Sequence, residues 1–184
     1  MAEEQDFYRE KERIIRIFNE AKQNTINLIE TSTKNLAGFD INFMRPRWIS
    51  LLKETRVDVR ERTTRRLAST FTGKKPYPEV IFYGNALYKT DSDIYEISLH
   101  ELAHVMLPYL GHSDAWKALY TAIGAKRPPS RTFIPSGKNY MYRYPIGISS
   151  RTGAIRYKIV LMSQKYKDAH PNEDKYIIGE KEFT

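Results

Sequence analysis

Apolar residues recur near the start of the chain at mixed three- and four-residue steps: Phe7, Ile14, Ile15, Phe18, Ala21, Ile26, Leu28 and Ile29. Charged and amide side chains fill the other faces. That period predicts a long amphipathic helix over residues 3–36, stopped at Gly38 and packed on a core. The period then shortens. In "TRVDVRER" (55–62) Val57 and Val59 alternate with charged neighbours, as in a half-exposed strand. "RRLASTFTG" (65–73) is a second strand candidate, ended by Gly73. "EVIFYGNALY" (79–88) is a third, its run Val80, Ile81, Phe82, Tyr83 suiting a buried strand. "RPRWISLL" (45–52) reads as a short turn or helix entry.

Helical spacing returns in "TDSDIYEISLHELAHVML" (90–107), where Ile94, Ile97, Leu99, Leu102, Ala103 and Met106 supply apolar faces. Thr90, Ser92 or Asp93 can cap this helix; Glu96, three residues after Asp93, gives a near capping box. Pro108 and Gly111 end it. "SDAWKALYTAIGAK" (113–126) predicts a second helix, capped by Ser113 or Asp114 and stopped at Gly124. "RPPS" breaks the pattern. "KNYMYRYPIGI" (138–148) and "AIRYKIVLM" (154–162) then read as a hairpin, with turn signals at Ser136-Gly137, Gly147 and Thr152-Gly153. The last residues read as one more strand or a loose tail. The mixture of helices and strands predicts an α+β fold. It is divided as an N-terminal helical segment (1–38), a core (39–127) and a β-rich extension (128–184).

Composition narrows the chemistry. The chain has 184 residues, 41% apolar, with no cysteine, so no disulfide framework, thiolate zinc ribbon or cysteine nucleophile is available. The N-terminus opens acidic, without the apolar run of a signal peptide, and no segment approaches the length of a membrane span. The expectation is an intracellular, soluble protein without membrane contact. A net charge of +8 points to a polyanionic partner, nucleic acid first, or else to charge spread over all faces for solubility.

Three of the four histidines, His100, His104 and His112, fall within thirteen positions, around Glu101. His100-Glu101-Leu102-Ala103-His104 is an HExxH motif. Positions i and i+4 share one helix face, so the two imidazoles can converge on one zinc at about 2.0–2.1 Å. Glu101, beside the first ligand, can act as general base on a zinc-bound water without occupying a coordination position. The motif lacks a third ligand. His112 supplies it: Pro108 and Gly111 let the chain leave the first helix and turn back. Three histidines and water form a catalytic pattern with one open position. Seven residues separate His104 from His112, against five in the HExxHxxGxxH pattern. The bland alternative is a surface helix with two solvated histidines and a core His112. His170, in "DAHPNED", reads as a solvated loop histidine.

"HELAHVMLPYLGHSDAWKAL" resembles the SprT-like zinc metallopeptidases, which include the Spartan proteases. The likeness rests on the HExxH helix, a variable connector, Gly111-His112 and Trp116, with softer matches at Asn85 and Leu87; it covers roughly residues 45–125. The resemblance implies a zincin-like core: N-terminal helix, small sheet, HExxH helix and following helix, with a C-terminal β-hairpin appendage. It implies a single Zn2+ held by His100, His104 and His112, with Glu101 as base and Trp116 packed behind the site. Many members of that family carry a cysteine zinc ribbon after this core. The chain's last third has the hairpin rhythm of such a ribbon without its cysteines.

The function so implied is a zinc-dependent endopeptidase acting on protein or peptide substrates, DNA-associated proteins among them. Two stretches are compatible with DNA, single-stranded above all. Arg45, Arg47, Arg56, Arg60, Arg62, Arg65, Arg66, Lys74 and Lys75 form one. Lys138, Tyr140, Tyr142, Arg143, Tyr144, Arg156 and Tyr157 form the other, interleaving bases with aromatics. Alternatively the arginines are a solvated strand face and the tyrosines a small β core. Tyr109, Tyr140, Tyr142 and Arg143 are oxyanion candidates by residue type. The competing readings are a nucleic-acid-binding or interaction module whose zinc site is structural or silent, and a small-molecule hydrolase. Sequence leaves the oligomeric state open.

Overall fold

The computed structural model describes residues 2–64, 66–73, 75–127, 137–148 and 155–183. The fold is mixed α+β. The chain divides into two compact units, Met1–Leu87 with Asp91–Phe133, and Tyr88–Thr90 with Ile134–Thr184.

In the first unit, helix α1 (Ala2–Thr31) and helix α2 (Ile41–Glu54) precede strands β1 (Arg56–Arg60), β2 (Ala68–Phe71) and β3 (Glu79–Tyr83). A 3-10 turn (Gly84–Ala86) follows, then helices α3 (Asp91–Met106) and α4 (Asp114–Ala122). The strands form one sheet in the order β1-β3-β2, with β1 parallel and β2 antiparallel to β3. Register sets the faces. Val57 and Val59 pair with Val80 and Phe82, and Thr70 and Ala68 pair with the same two residues from the other side. Phe82 meets Phe18 of α1 edge to face, with centroids 6.1 Å apart, so this set of side chains faces the helices. Helix α1 packs on β1, and α3 on β2. Gly84 sits where chain meets chain: a Cβ there would come 2.3 Å from the Glu61 carbonyl oxygen.

Helix α1 stops before residue 36. The hydroxyls of Thr31 and Ser32 donate back to carbonyls of the last turn, and the Arg45 guanidinium donates to the carbonyls of Ile29 and Ser32. These orphan carbonyls are therefore satisfied without another turn. Ala37 and Gly38 then take positive φ, at 54° and 83°, and reverse the chain.

The reading of residues 45–52 as a turn or helix entry understates α2, a full helix running through Pro46. Asp40 caps it by accepting from the Asn42 amide. The lost backbone donor at Pro46 is outweighed by packing: Trp48 and Leu52 are fully buried, and Trp48 Nε1 donates to the Met106 carbonyl at 3.2 Å. Helix α3 begins at Asp91, so Asp93 and Glu96 are interior helix positions rather than a capping box. Asp93 is fully buried and paired with Arg127.

In the second unit, β4 (Gly137–Ile148) and β5 (Ile155–Ser163) pair antiparallel, and β6 (Ile177–Phe183) adds to the other side of β4. The register of the first pair shifts between Pro145 and Gly147. The turns expected at Ser136 and at Thr152-Gly153 lie outside the described residues. Helix α5 (Gln164–Ala169) and a 3-10 turn (Pro171–Tyr176) join β5 to β6, so the C-terminal segment is structured rather than a loose tail. His170 is not a solvated loop residue. It is half-buried, stacked on Tyr166 at 4.2 Å, with Nε2 3.4 Å from the Tyr88 hydroxyl. Among the described residues, no helix is long and apolar enough to cross a membrane.

Candidate metal centre

Helix α3 carries His100 and His104 one turn apart on one face. After Met106 the helix cannot continue, because Pro108 has no N–H to donate. Tight bonds carry the connector round: Leu110 N to the Leu107 carbonyl at 3.3 Å, and Ser113 N to the Leu110 carbonyl at 3.1 Å. Gly111 takes φ 52°, a left-handed conformation that favours glycine. His112 follows at once. Ser113 then caps α4 by accepting from the Trp116 amide at 3.3 Å. The third histidine is thus held between a glycine reversal and a capped helix start.

The three imidazoles meet through one kind of atom. Nε2 of His100 lies 3.3 Å from Nε2 of His104 and 3.1 Å from Nε2 of His112. One ligand atom from each histidine lies within 4.8 Å of the others, and all three side chains are half-buried. Two nitrogens bound to one tetrahedral zinc at about 2.0–2.1 Å would be about 3.3 Å apart, so these residues fit a small metal ion. Burial, followed by mutual proximity, holds His100 down to about 3 and His104 down to about 4. Both imidazoles are therefore neutral near pH 7, the form that ligates a metal.

An aromatic wall backs the cluster. Trp116, fully buried, stacks on His104 at 4.8 Å and meets His100 and His112 edge-on at 4.7 and 4.6 Å. Tyr120 stacks in turn on Trp116 at 5.2 Å. The Tyr120 hydroxyl donates to Glu96 Oε2 at 3.1 Å, and the Lys126 amide donates to Oε1 at 3.0 Å. Sequence reasoning missed this lock. Its signal was available: Glu96 lies four residues before His100, and Tyr120 four after Trp116, on matching helix faces.

Glu101, next to His100 on α3, reaches Thr70 of β2 with its carboxylate. It is buried, 7% exposed, and the Thr70 hydroxyl lies 2.6 Å from its Oε2 and 3.2 Å from its backbone oxygen. Burial pushes the Glu101 carboxyl up to about 7, against the opposing pull of Thr70 and the Arg66 charge. A carboxyl so poised can take and return a proton near neutral pH.

The other candidate residues are dispersed. Tyr109 is 85% exposed on the connector after α3. Tyr140 and Tyr142 are interior residues of the second unit, and Tyr144 is half-buried there, bonded to Glu173. Arg143 is exposed and stacked on Tyr157 at 3.8 Å. In the basic stretch Arg45 serves the end of α1, Arg56 covers Tyr77 at 3.9 Å, Arg60 pairs with Asp58, and Lys75 pairs with Glu79. Arg47, Arg62 and Arg66 are exposed. Arg65 and Lys74 lie outside the described residues, as do the side chains of Lys138 and Arg156.

Compared with known proteins, the chain matches no family model, no curated protein and no solved structure. The metal-binding capacity of the cluster therefore rests on its geometry.

Proposed function

We propose that the protein is a zinc-dependent endopeptidase of the SprT-like kind, built on a small zincin-like core, with DNA-associated proteins among its substrates. The observation that carries this reading is the convergence of three imidazole Nε2 atoms, two of them on the helix that also carries the buried Glu101 carboxyl. Three protein ligands leave a fourth position for chemistry. Bound there, a zinc ion supplies Lewis acidity, polarising a carbonyl and making water nucleophilic near neutral pH.

The residues do the rest. The imidazoles of His100, His104 and His112 hold and orient the ion through Nε2. Glu101 takes the proton of the attacking water on its carboxylate and returns it to the leaving amine. Trp116 and Tyr120 keep the histidine rings in place. The DNA-associated part of the reading rests on the net charge of +8 and on exposed Arg47, Arg62 and Arg66 in the first unit.

Cleavage of an unstructured test protein by zinc-loaded wild type and Glu101→Gln, each with and without single-stranded DNA, tests the proposal. The expected result is zinc bound by both proteins and cleavage by wild type alone. A wild type that binds zinc and cleaves nothing under either condition favours the interaction module with a silent site.

A further inference from the structure

Strand β2 forms one edge of the first unit's sheet, and its register turns Ala68 and Thr70 toward the helices. Every other residue that β1 and β3 contribute to that face opposite α1 and α3 is a large hydrophobe: Val57, Val59, Val80 and Phe82. Thr70 is the polar exception, and its hydroxyl is aimed at the side chain of Glu101. Its Oγ1 lies 2.6 Å from Oε2, the shorter of its two contacts with that residue; the backbone oxygen is at 3.2 Å. A hydroxyl has one proton, and an ionised carboxylate accepts only. Thr70 therefore donates to Oε2.

From this geometry we infer that Thr70 is the positioning residue of the general base. It pins one carboxylate oxygen of Glu101 from the neighbouring strand and so fixes which oxygen, and which direction, receives the proton. The inference rests on the endopeptidase reading. It adds to that reading a residue outside the HExxH motif, on a separate element of the sheet. A short hydrogen bond to a buried carboxylate also has structural value, so the test must separate orientation from stability.

The experiment compares wild type, Thr70→Val and Thr70→Ser, each loaded with one equivalent of Zn2+, on the same unstructured test protein. Loss of an outer partner typically costs about 10- to 100-fold in activity. Thr70→Val is expected to lose that factor in kcat, with KM and zinc affinity unchanged. Thr70→Ser, which keeps the hydroxyl, is expected to recover most of kcat. In metal-free protein labelled at glutamate side-chain carboxyls, the carbon-13 signal assigned through Glu101→Gln should move in Thr70→Val and stay in Thr70→Ser. Full kcat in Thr70→Val, equal losses in both variants, or an unmoved carboxyl signal overturns the inference. If Glu101→Gln itself keeps full activity, the endopeptidase mechanism fails first and the positioning role falls with it. If Glu101→Gln is inactive while Thr70→Val is fully active, only the positioning role fails.

Discussion

The indole of Trp116 lies stacked on the imidazole of His104, with ring centroids 4.8 Å apart and planes 27° from parallel. Because the same indole touches His100 and His112, one side chain from α4 sets the orientation of all three candidate ligands. Trp116→Ala is expected to destabilise the first unit by about 3–5 kcal/mol, the usual cost of emptying a buried aromatic site. It should also release zinc at lower chelator concentration than wild type. Urea unfolding and chelator competition, run on the same samples, measure both effects.

His112 closes the site from outside the HExxH helix. Metal content after purification without added metal should be close to one zinc per chain in wild type. It should fall well below that in His112→Ala and stay unchanged in His170→Ala, because His170 is packed between aromatic rings of the second unit. Unchanged zinc in His112→Ala would sink the three-histidine site.

Tyr120 and Glu96 tie α4 to α3 by a buried hydrogen bond to a carboxylate, a kind worth about 1.5–3 kcal/mol. Tyr120→Phe should lower stability by about that amount while keeping the stack on Trp116. A stability loss below about 0.5 kcal/mol would show that the bond is not formed in solution.

In metal-free protein, acid should weaken the fold through the histidines. The unfolded chain binds protons on His100 and His104 near the ordinary value of about 6.5. The folded chain resists until about 4 and about 3, through burial and then proximity of the other imidazoles. The unfolded state therefore holds more protons in between, and stability falls as pH drops from about 6.5 toward about 4. Melting temperatures of metal-free wild type should decline through that window. A variant carrying His100→Gln and His104→Gln should decline less steeply.

Much of the site can be read along the chain because its parts are local. The i, i+4 spacing of His100 and His104, the place of Glu101 beside them, the helix stop at Pro108 and the cap at Ser113 all follow from helix geometry and backbone chemistry. The three strands of the first sheet were also legible from alternation and apolar runs. Helix α2 was not, because Pro46 argues against a helix and only the burial of Trp48 and Leu52 overrides it. Asp93 and Glu96 resembled a capping box by spacing. Their partners, Arg127 and Tyr120, lie 34 and 24 residues away.

By itself the sequence determined the pair of histidines on one helix face, the neighbouring glutamate and the reversal that frees His112 to return. Those are consequences of 3.6 residues per turn and of what proline and glycine do to a backbone. Tertiary structure alone decided that the three Nε2 atoms meet, that Trp116 lies against all of them, and that Thr70 reaches Glu101 from the edge of the sheet. The contacts that complete the site, from His112 and Trp116 to His100 and from Thr70 to Glu101, join separate elements through packing, and no local period encodes them.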